Sequence, residues 1–380
     1  MADKSDCYYE SLIYYLLKGG DFLDNIPENE KNYFTLKFGL ANKNNNNDKE
    51  LTEFKNKFKN KKEYKIGDFE KAEKYLETCQ SSKRLKELIN ESIPYSFGIW
   101  MEFKLKQPYF SRDDEEFYLI QNPVLKEKVF KVPMIRGSGW KGALANAGRE
   151  LIKEKYKKEE NIFWDYVFSY LRIFGTGNEE FRKLMEILNK NNKDNDKVEL
   201  KKSLANYVLF NIGAQINLKD LDKNLQTLVE KYFNEFENKF LSNDNNKKYY
   251  EAKKGRAIFY PTYFDKLSLE VINPHNRKTR AGINPIHYEV VPKDTEGILQ
   301  IVYIPFNGIL KENEKLKEEV KNDLEFLINC IEKVADLGVG AKTKLGWGTF
   351  GIEKRLYYSS VDLEINDKLT EKGWENANKY

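Results

Sequence analysis

The sequence predicts an α+β fold, a ferredoxin-like or RRM-like antiparallel sheet with helices on one face, and three observations carry that prediction. The apolar period changes from helical to alternating at Tyr95. A second alternating block starts at Gly255 and feeds an amphipathic helix. One last strand-like run follows that helix, so strands and helices succeed one another in the order of a split β-α-β unit.

Each element follows in turn. From Tyr8 to Asn90 the spacing is helical, in YYESLIYYLL, FEKAEKYLETCQ and SSKRLKELINESI. Ser81 or Ser82 can cap the last helix and Pro94 closes it. Residues 1–94 therefore read as a helical N-terminal region that packs on the body or on a neighbouring subunit. In SFGIWMEFKLKQPYF the residues Phe97, Ile99, Met101, Phe103 and Leu105 alternate, as in a strand with one buried face. An acidic loop, Asp113-Asp114-Glu115-Glu116, precedes the short β-prone pieces FYLIQNPV and FKVPMI. A glycine-rich loop then opens a helix at RGSGWKGALANAGRELIKEKY, and helical spacing with Asn/Lys breaks marks an insertion at about 150–250.

The β pattern resumes in GRAIFYPTYF, LSLEVINPH and YEVVPKDTEGILQIVYIPF. Over 311–336, Val320, Leu324, Leu327, Ile328, Ile331 and Val334 lie at helical spacing. LGVGAKTKLGWG stops this helix, and TFGIEKRLYY is the last strand. The domain thus spans 95–362, and 363–380 reads as a tail.

Composition narrows the function. Hydrophobic residues make up 40% and aromatics 14%, enough for a sizeable core beside 33% charged residues. Lys and Arg exceed Asp and Glu only by 64 − 60 = 4, so any basic surface must come from local clustering. Cys7, Cys79 and Cys330 form neither a disulfide framework nor a CxxC pair, which fits the reducing cytoplasm. No signal-peptide or membrane-spanning run is evident. With only His275 and His287 available, a histidine metal centre or a Ser-His-Asp triad has little to draw on. No cofactor and no metal is expected.

Two loops carry the chemistry. The first is Arg136-Gly137-Ser138-Gly139-Trp140-Lys141-Gly142. Glycine allows close approach of a ligand backbone, a helix N-terminus favours an anion, and Arg136, Ser138 and Lys141 are charge-assisted or hydroxyl donors for phosphate oxygens. Trp140 can stack on a base, but a large apolar residue at a helix start more often packs inward. The second loop, Gly338 to Gly348, holds Lys342, Lys344 and Trp347. It is not a nucleotide-binding P-loop, because it follows a helix and opens a strand. A third basic stretch, His275 with Arg277, Lys278 and Arg280, lies between strands and suits contact with an RNA backbone.

These segments resemble the RAMP superfamily, the RRM-like proteins of CRISPR–Cas systems. Pro133 to Leu144 is similar to the family's P-x-I-P-G-S-S-x-K-G loop, and Gly338 to Phe350 to its G-x-G-x-x-x-x-x-G-x-G-x-F loop. Arg256 to Tyr260 and Tyr288 to Thr295 resemble two further family stretches, in the family's order, over roughly 97–355. Arg136 replaces the family's Pro, Gly139 its second Ser, and the Arg that ends the motif is missing, with Arg149 one turn on. The resemblance implies a subunit of a type III-like effector, most like the filament-capping one, that holds CRISPR RNA and complementary target RNA beside other effector subunits.

The same resemblance bears on cleavage. Slicing members carry an Asp in a D-[NS]-P-V-[IL] segment, and here Gln121-Asn122-Pro123-Val124-Leu125 puts an amide at that position. An amide can neither bring full negative charge to a divalent metal nor act as a general base, so a non-slicing subunit is expected. The alternative is an endoribonuclease using His275, or the acidic loop with Asp113 and Asp114.

Overall fold

The computed structural model describes residues 64–65, 69, 81–113, 122–155, 160–175, 254–274, 282, 285–308, 311–363 and 365–377. Its strands are β1 (Tyr64–Lys65), β2 (Phe97–Leu105), β3 (Met134–Ile135), β4 (Ala257–Phe259), β5 (Thr262–Tyr263), β6 (Lys266–Ile272), β7 (Ile286–Val290), β8 (Glu296–Tyr303), β9 (Phe350–Ser359) and β10 (Glu375–Asn376). Its helices are α1 (Ser82–Asn90), α2 (Gly137–Lys155), α3 (Glu160–Phe174), α4 (Asn313–Leu337) and α5 (Asp367–Glu371).

The central sheet runs β10-β9-β2-β8-β4. β2 pairs antiparallel with β8 and β9, β8 pairs antiparallel with β4, and β10 joins β9 in parallel. Along the chain, β2, α2, β4, β8, α4 and β9 follow the β-α-β-β-α-β order, with β2 lying between β8 and β9. That is the ferredoxin-like arrangement expected from the sequence. A smaller sheet, β1-β6-β7, and the pair β3-β5 flank it.

The alternation in β2 sorts its two faces. Phe97, Ile99, Met101, Phe103 and Leu105 are all fully buried, in one core with Leu144, Val320, Leu324, Leu327 and Ile331 from α2 and α4. Burying side chains of this size contributes about 1.5–3 kcal/mol each. The helices do not keep to one face, however. α1 crosses the opposite face, where Leu85 and Ile89 pack on Trp100, Val302 and Tyr358. Gly98 makes room, since a Cβ there would sit 3.0 Å from both Ile89 Cγ1 and Leu85 Cδ1. Ser81 caps α1, its hydroxyl accepting from the Arg84 N–H at 3.2 Å.

Three expectations for the chain ends and the insertion change or stay open. Within the region expected to be helical, Tyr64 and Lys65 form a strand paired with Leu267 and Lys266. Residues 363–380 are not a free tail in their described part. Leu363, Leu369 and Trp374 are buried, and the Trp374 indole donates to Glu332 Oε1 at 2.8 Å. The insertion begins with α3, packed on α2 and α4, and its residues 176–253 lie outside the described residues.

A buried charged network ties the helical layer to the sheet. Asp323 on α4 accepts both Arg172 Nε and Nη2 from α3, and the Tyr303 hydroxyl from β8. Arg256 donates to the Tyr303 hydroxyl at 2.9 Å and to Asn307 Oδ1 at 2.6 Å.

Burial also raises several phenols. It pushes Tyr357 from 10.0 up to about 12, with the Asp362 charge adding to it, and it pushes Tyr109 and Tyr303 upward as well. Above about pH 10 the unfolded chain releases these protons while the folded chain keeps them, so stability falls as pH rises between about 10 and 12. Urea midpoints followed across that range should drop steadily as pH rises. A flat midpoint would contradict the burial of these hydroxyls.

Candidate nucleic-acid interface

The first glycine loop is the junction between β3 and α2. β3 pairs with β5, Met134 opposite Tyr263 and Ile135 opposite Thr262. The Arg136 carbonyl then accepts the N–H groups of Gly139 and Trp140, at 2.8 and 3.1 Å, which starts the helix. Gly137 is required by close packing, because a Cβ there would fall 2.1 Å from the Phe259 carbonyl oxygen. Arg136, Ser138, Gly139 and Gly142 are exposed or partly exposed, and Lys141 is half-buried.

Trp140 points inward. Its indole N–H donates to Thr262 Oγ1 at 2.9 Å, and its ring meets Phe103 and Phe350 edge-on, at 5.7 and 5.9 Å. It anchors the loop and offers no ring face to a base. Arg149, further along α2, also turns inward, where its guanidinium donates to the Tyr170 hydroxyl at 2.7 Å.

The second loop leaves α4 at Gly338 and enters β9 at Phe350. The Val339 N–H donates to the Gly348 carbonyl at 3.0 Å, which closes the loop's neck. Gly348 has φ +74°, and a Cβ there would lie 2.0 Å from the Val339 carbonyl oxygen, so only glycine closes that neck. Lys342 adopts the left-handed conformation, and Thr343–Leu345 form a short 3₁₀ turn. Lys342, Lys344 and Leu345 are all exposed. Trp347 is only 8% exposed and meets Tyr288 and Phe110 edge-on, at 5.6 and 6.3 Å. Like Trp140, it holds the loop from inside. The Lys342 ammonium stands 5.4 Å from the centre of the Tyr288 ring, which stiffens a cation without neutralising it.

Tyr109 brings the two loops together. Its hydroxyl donates to the Met134 carbonyl at 3.1 Å, two residues before Arg136, while its ring edge comes within 2.7 Å of the position a Cβ on Gly340 would take. The loop backbone is tied to the same segment, with Ala341 N–H donating to the Phe110 carbonyl at 2.7 Å and Gly348 N–H to that of Pro108 at 2.8 Å. The side chains of Arg136, Lys141, Lys342 and Lys344 make no ion pair among the described residues, so within that set four cations gather at one end of the sheet.

The other sequence candidates are placed only in part. His275, Arg277, Lys278 and Arg280 lie outside the described residues, in the connection between β6 and β7. Asp114, Glu115, Glu116 and Gln121 also lie outside them. Asp113 is 7% exposed, and its carboxylate accepts the Lys126 backbone N–H at 3.3 Å, a structural role within the hairpin. His287 sits half-buried on β7, its carbonyl accepting from the Asn122 side chain at 3.1 Å. Among the described residues, no three His, Cys, Asp or Glu side chains stand close enough to share a metal ion, and no helix is long and apolar enough to cross a membrane.

Sequence reasoning did not single out Tyr109, Tyr288 or the buried pair Lys126–Glu289. Glu289 Oε2 accepts from both the Val124 N–H and the Lys126 ammonium, which stitches the segment after the acidic loop to β7. The only signal for Tyr288 and Glu289 was their place in a family-like stretch.

The loops, their order and the sheet they terminate define a class. The model of the RAMP superfamily matches residues 102–351, and the chain belongs to that superfamily. Among solved structures it is similar to a chain of the Type III-B Cmr-beta complex bound to cognate target RNA, at 14% identity over 94% of this chain and 90% of that one, with a TM-score of 0.42. It is also similar to Cmr6 from Pyrococcus furiosus, at 17% identity over 69% of this chain and 100% of that one, with a TM-score of 0.29. No curated protein matches it significantly.

Proposed function

We propose that this chain is a non-slicing RNA-binding subunit of a type III-like CRISPR ribonucleoprotein effector. It grips guide RNA, or the guide–target duplex, through its two glycine–lysine loops and the basic loop with Arg277, Lys278 and Arg280. The observation that carries this reading is the meeting of both loops at Tyr109, which gathers Arg136, Lys141, Lys342 and Lys344 at one end of the sheet. Such cations on stiff supports suit phosphate oxygens and read no sequence. Membership of the RAMP superfamily supports the partners, CRISPR RNA, target RNA and other effector subunits. Gln121, where slicing members carry Asp, supports the absence of cleavage.

The test is binding and integrity of a labelled CRISPR-type RNA and its complement, with and without Mg²⁺, at several salt concentrations. Both strands should bind and stay intact. Alanine at Lys342 and Lys344 should lower the slope of log K against log salt by about 0.7 for each single-strand phosphate that is no longer neutralised. An unchanged slope would remove the second loop from the site. Cleavage that EDTA abolishes would point instead to the acidic loop, and EDTA-resistant cleavage to His275.

A further inference from the structure

We infer that Lys106 is a further phosphate-contacting residue, which continues the RNA path from the second glycine loop onto the outer face of the sheet. This rests on the RNA-gripping reading above. Lys106 follows the last residue of β2, and its N–H and that of Gln107 both donate to the Thr349 carbonyl, at 2.8 and 3.4 Å. Its backbone is thereby fixed to the exit of the second loop. The side chain is exposed and meets no carboxylate among the described residues.

The neighbouring charges behave differently. On the outer face Lys104 is held by Glu296 at 3.3 Å and Glu353 at 3.8 Å, and Lys354 by Glu102 at 3.4 Å. Among the described residues these strand lysines are paired, whereas Lys106, one step beyond β2, meets no carboxylate.

Gly351, opposite Lys104 in β9, shapes the same spot. Glycine inside a strand weakens it and commonly marks a close approach of another chain. Its backbone is not among the positive-φ glycines, so conformation does not require it. A Cβ at Gly351 would lie 3.4 Å from Lys106 Cε, in van der Waals contact, so the lysine stem passes over this glycine. An exposed ammonium whose backbone is tethered to the loop that carries Lys342 and Lys344 suits the next phosphodiester of a bound strand.

Fluorescence anisotropy with a labelled single-stranded RNA of mixed sequence, repeated over a salt series on the full chain, tests this. Lys106→Ala should lower the salt slope by about 0.7, the value for one single-strand phosphate contact. Lys106→Arg should keep the slope, and the thermal midpoints of both variants should match the wild type. If Lys106→Ala leaves the slope unchanged while Lys342→Ala lowers it, Lys106 is a solvated lysine and this inference fails alone. If neither variant changes it, or the wild-type chain binds no RNA at low salt, the reading of the loops fails and this inference with it.

Discussion

Asp323→Ala is expected to lower the unfolding free energy by about 3–5 kcal/mol, read as a shift of the urea midpoint. The carboxylate is fully buried between α3, α4 and β8. It answers the Arg172 guanidinium, 6% exposed, through both oxygens, and the Tyr303 hydroxyl through one of them. Arg256 Nη1 lies 3.8 Å from the same carboxylate. Alanine would leave the Arg172 guanidinium and the Tyr303 phenol in the core without their shared acceptor, while Arg256 keeps Glu319 at 3.4 Å, and stranding a buried charge costs far more than the intact pair contributes. Asp323→Asn keeps an acceptor and should be less destabilising. A drop below about 1 kcal/mol would mean that the network behaves as a solvated surface pair.

Trp140→Ala is the second large effect. Removing this fully buried indole should cost about 3–5 kcal/mol, because Phe103 and Phe350 are deprived of a common neighbour and the cavity cannot collapse fully. The same substitution should weaken RNA binding below the melting temperature, since the first turn of α2 is left without its anchor beside Arg136 and Lys141. Trp140→Phe separates the two roles. It keeps most of the apolar volume and gives up the hydrogen bond to Thr262, so it should cost about 0.5–1.5 kcal/mol and leave RNA affinity near the wild type. Weakened affinity in the Phe variant at preserved stability would make the indole a ligand contact and overturn the anchoring role.

The two experiments probe different links of the same chain of causes. Asp323 joins the helices to the sheet and touches neither loop among its hydrogen-bond and ion-pair partners. Trp140 joins the core to the first loop directly. RNA binding that tracked stability equally in both variants would mean that the loops respond to the fold as a whole.

Much of the fold was legible because its signals are local. The alternation from Phe97 to Leu105 identified the central strand and its buried face, and the spacing from Val320 to Val334 identified α4. Both are repeats imposed by backbone geometry, so a single sequence displays them. The glycine loops were legible because a residue type's own chemistry marks them. Gly137 and Gly348 stand where any side chain would run into a backbone carbonyl.

What stayed hidden depends on contacts between distant residues. Trp347 reads as part of an RNA-binding cationic loop until Tyr288 and Phe110 are found against it. The last residues read as a tail because Leu363, Leu369 and Trp374 are sparse, with no period to reveal that β9 and α4 receive them. α1 was recognisable as a helix, yet nothing in its own spacing says that it lies across Trp100 and Tyr358, on the face opposite α2 and α4.

The sequence by itself determined the class of fold, the order of its elements and the two loops that carry glycine and lysine, since each follows from local periodicity or from a residue type's own chemistry. Only the tertiary structure decided that those loops meet at Tyr109, that both tryptophans serve as anchors, and that Lys106 is tied to the exit of the second loop. Those facts come from side chains distant in the chain sharing one volume or one field, and no local pattern encodes that.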